Sequence, residues 1–139
     1  MTALSADALI TARDPKGLRP YTVASSKTIY TGAQVFVDAT SGLATDDGNS
    51  GANQFVGICK EGGTETEEIE VYSCGCFQMS IASVAQGSVG DAIYSDDSNG
   101  ATVTSTSARY IGTCTEYVSS GIGYVEIDTQ NTSQVDIDT

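Results

Sequence analysis

The sequence predicts an all-β protein, a small barrel or sandwich built from two similar strand-turn-strand units behind an extended N-terminal arm. Three observations point there. The apolar residues are mostly Val, Ile and Tyr, with only 2 Met and few Leu, set among many Thr, Ser and Gly, a bias toward strands over helices. From residue 28 onward, short apolar runs are cut by Gly, Asp, Asn and Ser, as in strands joined by tight turns. Finally, three blocks of sequence recur in the same order.

Taken in chain order, residues 1–27 hold both prolines, in Asp14-Pro15-Lys16-Gly17 and Arg19-Pro20, and no sustained period, so they read as an arm or extended lead-in ahead of the core. The candidate strands that follow are 35–37, 54–59, 68–72, 77–81, 92–94, 110–114 and 123–127. The recurrence ties them together. Gln34-Val35-Phe36-Val37-Asp38-Ala39-Thr40-Ser41-Gly42 matches Ala92-Ile93-Tyr94-Ser95-Asp96-Asp97-Ser98-Asn99-Gly100. Val56-Gly57-Ile58-Cys59 then matches Ile111-Gly112-Thr113-Cys114, and Ile69-Glu70-Val71 matches Val125-Glu126-Ile127, at offsets of 58, 55 and 56 residues. In the first block an aspartate can bond its own backbone to start a turn that glycine, free to take positive φ, can end. In the third, alternation buries the apolar pair and turns the glutamate outward. Two such units, about 32–72 and 90–128, can close against each other. Residues 28–129 are then one β-domain, and 130–139 a C-terminal tail.

At 139 residues and 40% apolar composition the chain suits one domain with a modest core. No apolar run approaches the roughly 18 residues that cross a bilayer, and residues 1–14 lack a basic start followed by an apolar stretch, so a soluble, unsecreted protein is expected. A net charge of −12 argues against nucleic acid and anionic membranes as direct partners. That charge is segregated: residues 1–27 carry +2 and the remainder −14, which places a basic arm before an acidic body. An acidic surface that merely keeps the protein soluble is the plain alternative to an arm that seeks an acidic partner.

Little in the sequence suggests catalysis. Histidine is absent, which removes the commonest general base and any Ser-His or Cys-His pair. The acidic clusters at Asp46-Asp47, 65–70 and Asp96-Asp97 coincide with predicted turns or strand approaches, and nothing identifies two carboxylates facing across a cleft. Asp46-Asp47-Gly48-Asn49 and Asp96-Asp97-Ser98-Asn99-Gly100 offer oxygen ligands in short loops, but neither is a twelve-residue calcium loop and they fall at different places in the repeat. Cys59, Cys74, Cys76 and Cys114 could form two disulfides, yet free thiols are expected in a reducing compartment. The one-residue spacing of Cys74-Gly75-Cys76 suits two strand neighbours on one face better than a zinc pair. No metal and no cofactor are expected.

In order and spacing, the motifs resemble a known family. A Gly-x-x-Val strand opens the domain (Gly32-Ala33-Gln34-Val35), and a Val-Gly-[Ile/Val]-[Cys/Ala] strand follows (Val56-Gly57-Ile58-Cys59). A Gly-Asp-x-[Ile/Val]-Tyr strand comes later (Gly90-Asp91-Ala92-Ile93-Tyr94), then a second glycine-containing strand (Ile111-Gly112-Thr113-Cys114). Over roughly residues 28–128 this resembles the small capsid cement, or decoration, proteins of tailed bacteriophages. The resemblance implies a non-enzymatic β-rich protein on the outside of an expanded head, commonly a homotrimer, that clamps subunits of the major capsid protein. The arm is then the candidate capsid contact, through Arg13, Lys16, Arg19, Tyr21 and Lys27, by adding a strand to a capsid-protein edge. Another virion β-protein, such as a tail, head-fibre or glycan-binding domain, is the competing expectation.

Overall fold

In the computed structural model, which describes residues 7–46, 53–95, 100–103 and 110–129, eleven strands follow one another. They are β1 (Ala12–Thr22), β2 (Thr28–Ile29), β3 (Gln34–Val37), β4 (Ala44–Thr45), β5 (Gln54–Glu61), β6 (Gly63–Thr64), β7 (Glu68–Ala82), β8 (Ala92–Ser95), β9 (Ala101–Thr102), β10 (Tyr110–Ser119) and β11 (Ile122–Asp128). A single 3-10 turn, Gln86–Ser88, is the only helical element among the described residues. The all-β expectation therefore holds.

The longest strand organises the rest. Ile69, Val71 and Ser73, then Phe77, Met79 and Ile81, are buried in alternation along the 15 residues of β7. The two strands expected at 68–72 and 77–81 are thus one, because Ser73-Cys74-Gly75-Cys76 continues it where composition suggested a break. On one side β7 pairs with β5 through Glu70, Val71 and Tyr72, and then with β11 from Cys74 to Ser80. Along its other side lie β1, from Thr22 opposite Glu68 to Ala12 opposite Phe77, and then β9, parallel at Ile81 and Ala82.

Two rings of pairing share this strand. The second half of β7 closes with β11, β10, β8 and β9 into a five-stranded barrel. Its first half connects through β5, β3 and β4 to a parallel bridge between Ala44 and Val23, just past the end of β1. Each ring encloses apolar side chains: Phe77, Ile81, Ile93, Ile111, Val125 and Ile127 in the larger cluster, and Val23, Ile29, Val35, Cys59, Ile69 and Val71 in the smaller. Burying each such Val, Ile or Phe contributes about 1.5–3 kcal/mol. Gln34, 2% exposed, bridges the halves: its Nε2 donates to the Gly100 carbonyl at 2.9 Å and its Oε1 accepts from Ser95 Oγ at 3.0 Å.

The rings correspond in register. Val35 lies opposite Gly57 and Ile93 opposite Gly112; Val37 lies opposite Ala44 and Ser95 opposite Ala101. Gly32 and Ala33 exchange backbone hydrogen bonds with Cys59, as Gly90 and Asp91 do with Cys114. Val23 N–H donates to the Glu67 carbonyl at 2.9 Å and Ile81 N–H to the Gly121 carbonyl at 2.8 Å. In one respect the registers differ from the sequence alignment. Val71 lies opposite Cys59 and Val125 opposite Cys114, so the third block corresponds two residues away from the sequence match. A two-residue slide leaves every side chain on its own face, so alternation alone does not fix that register.

The segment expected as an arm or extended lead-in ahead of the core is, over residues 12–22, part of the sheet. Residues 12–22 are β1, hydrogen-bonded along β7, and β1 stands to the first ring as the second half of β7 stands to the barrel. Its loop-like composition reflects its position at the edge of the sheet. Asp14, at φ 55°, lies within the register shift between Arg13 and Lys16, and a proline is accommodated where its nitrogen needs no partner on the neighbouring strand.

Gly57 and Gly112 explain why each glycine-containing strand needs its glycine. A β-carbon at Gly57, where φ is 145°, would overlap the Tyr72 carbonyl oxygen, and one at Gly112 would overlap the Glu126 carbonyl oxygen. Gly87, by contrast, faces open space. Gly57→Ala or Gly112→Ala is therefore expected to cost about 3 kcal/mol or more in urea unfolding, with Gly87→Ala within about 0.5 kcal/mol of the parent.

Candidate functional site

The ionisable groups are mostly spent on local structure. Asp38 Oδ1 accepts the Thr40 and Ser41 N–H groups at 2.8 and 3.1 Å, which holds its carboxyl below the usual range and forms the expected aspartate-started turn. Glu67 accepts the Thr64 N–H at 2.8 Å and is lowered by it; Glu65 accepts the Ser26 N–H at 2.6 Å; Glu70 lies 3.7 Å from Lys60. Glu65, Glu67 and Glu70 of the 65–70 cluster thus serve turns and a surface pair. Of the two aspartate-rich loops, Asp46 lies 3.5 Å from Lys27, while residues 47–49 and 96–99 fall outside the described residues. Among the described residues no cluster of three His, Cys, Asp or Glu is placed to hold a metal.

None of the four cysteines is joined in a disulfide in the structure. Burial pushes the Cys59 thiol up to about 12 and raises that of Cys114. Cys74 and Cys76 lie in successive rows across β1, β7 and β11, between Lys16 and Asp128 and between Arg13 and Glu126. Cys74 Sγ is 3.5 Å from Asp128 Oδ1 and Cys76 Sγ is 3.0 Å from Thr115 Oγ1, so their sulfurs serve separate contacts.

What the described surface does present is the outer side of β1. Val23 directs its N–H to Glu67, and Ala24 directs its own to Ala44, on the opposite edge. Alternate residues of a strand face opposite edges, so Arg19 and Tyr21 bond toward β7 while Leu18, Pro20 and Thr22 face away from it. Three of the expected contact residues stand on this strand as exposed cations: Arg13, Lys16 and Arg19. Arg13 is already engaged. It ion-pairs with Glu116 and its guanidinium lies 4.0 Å over the Tyr124 ring, which raises Arg13, lowers Glu116 and fastens β1 to the barrel. Lys16 is 3.3 Å from Asp14 with both side chains exposed, a pairing of little energetic weight in water. Arg19 has no ion pair among the described residues.

The other two expected residues are not on this surface. Tyr21 packs against the smaller core cluster. Lys27 lies past β1, in a turn where its N–H donates to the Ala24 carbonyl at 3.2 Å, and pairs with Asp46. Leu18, 45% exposed on the outward side, was missed, as was a groove of about 220 Å³ between residues 8–11 and β7, with Leu9 92% exposed at its rim. The adjacent Leu9 and Ile10 were the one available sequence signal for the groove.

These thiol environments make a direct expectation. With a maleimide under native conditions, half-exposed Cys76 should label first, and Cys59 and Cys114 only as fast as the protein unfolds. Equal labelling of Cys59 would contradict the buried ring around it.

A family model described as "Phage cement protein" matches residues 16–128, from Lys16 in β1 to the last residue of β11. No curated protein matches the chain.

Proposed function

This chain belongs to the phage cement protein family, and from that premise we propose that it binds the outer surface of the major capsid protein lattice and stabilises the expanded head. It is a structural protein of the virion and does its work by binding, without turnover. The single observation that carries this reading is the family match, which spans both rings of the fold. The chemistry of the surface supports it: Asp38, Glu67 and Glu70 are engaged in turns and an ion pair, and β1, along whose outer edge no described strand pairs, is basic on a chain of charge −12.

The proposed contact runs along β1, where Lys16 and Arg19 reach outward. Arg13, Tyr21 and Lys27 then serve the site from behind, by holding the strand and its ends in place. Several copies act together, three by the family resemblance, so that individually weak contacts sum to stable decoration. An acidic body facing solvent keeps a crowded shell from aggregating. Nucleic acid and membrane are not partners in this reading.

Cosedimentation with expanded heads that lack the protein tests it. Saturable binding at a fixed ratio to capsid subunits, with heads more resistant to heat, is the expected result. Lys16→Glu combined with Arg19→Glu should weaken binding by roughly tenfold or more and flatten its salt dependence. Absence of binding to any head form would move the protein to another virion position, such as tail or head fibre.

A further inference from the structure

We infer that the outer edge of β1, at residues 16–22, accepts one extended acidic segment of the capsid lattice as an added antiparallel strand. The inference rests on the lattice reading above and specifies how contact is made: through backbone hydrogen bonds as well as charge.

The edge has a counterpart that is already filled. β1 and the second half of β7 hold equivalent places, with Val23 answering to Ile81 and Ala44 to Ala101. On β7, the edge at residues 74–78 takes β1 itself, with Lys16 opposite Cys74, Arg13 opposite Cys76, and Gln78 N–H donating to the Thr11 carbonyl at 2.9 Å. The same edge one unit earlier is residues 16–20 of β1, and no described strand pairs with it. Its outward groups include the Leu18 and Thr22 N–H groups and the carbonyls beside them.

Charge selects the occupant. Lys16 and Arg19 stand along this edge, Arg13 being already paired with Glu116, and Asp14 is the only acid of β1. A second copy of β1 laid antiparallel would set these cations against one another, which is unfavourable in a cross-strand pair. An acidic segment meets them favourably, and Leu18 adds an exposed apolar contact. Pro20 stands where β7 has Gln78, so the position that donates on β7 has no N–H on β1. Together with the irregularity after Arg13, this limits the added strand to a few residues and discourages open-ended stacking of copies.

Proline variants separate this from side-chain contact alone. Pro20 shows that β1 tolerates proline where the nitrogen faces outward, so Leu18→Pro removes one outward donor without touching the pairing with β7. In cosedimentation with heads lacking the protein, Leu18→Ala is expected to bind within about twofold of the parent and Leu18→Pro roughly tenfold more weakly, corresponding to the loss of about one neutral hydrogen bond with its partner carbonyl left unsatisfied. Circular dichroism and thermal melting check that each variant is folded. Should Leu18→Pro fail to fold, Thr22→Pro against Thr22→Ala makes the same comparison. A folded proline variant that binds as its alanine partner does, while the Lys16 and Arg19 double variant is lost, overturns strand addition and leaves the lattice reading standing. Failure of the parent protein to bind heads overturns both.

Discussion

The rest of the structure depends on one strand being used on both edges and in both halves. β7 is flanked on one side by β5 and β11 and on the other by β1 and β9. A central strand with every neighbour in place has no slack in register, because a shift by one residue would turn Ile69, Val71, Phe77, Met79 and Ile81 outward together. The close approaches at the two strand glycines belong to the same packing: Gly57 of β5 sits where β7, and Gly112 of β10 where β11, comes within the reach of a single β-carbon.

That geometry also decides where the protein can meet a partner. The barrel strands have neighbours on both sides, which protects them from adventitious pairing. β1 closes the first ring on its inner side, and no described strand pairs along its outer side over most of its 11 residues. Natural edges of this length carry charge, proline and bulges, and β1 has all three. The features that keep the edge from pairing with copies of itself are the same ones that make it selective for a short acidic strand.

Much of the fold was legible because it is written in local chemistry. Alternation at Ile69-Glu70-Val71 and Val125-Glu126-Ile127, the turn at Asp38 and Gly42, and the glycine-containing strands each follow from residues close in sequence. β1 was not legible as a strand. Its residues are mostly exposed, and Asp14-Pro15-Lys16-Gly17 looks like a loop unless the partner strand is known. Cys74-Gly75-Cys76 hid the continuity of β7 for a similar reason. The candidate contact residues were chosen largely by charge, which could not foresee that Glu116 and Tyr124, over a hundred residues away, hold Arg13. Nor could charge tell Tyr21, which turns into the core, from its outward neighbours.

The central claim is that β1 is an integral strand with one edge bonded and the other open. Residue-resolved amide hydrogen exchange of the free protein tests it most directly. Arg19, Tyr21 and Val23, whose N–H groups face β7 and its approach, should be strongly protected, while Leu18 and Thr22 exchange at rates near those of exposed amides. Uniformly fast exchange along residues 12–22 would contradict the account by making the segment a detached arm, and uniformly slow exchange would contradict it by closing the edge.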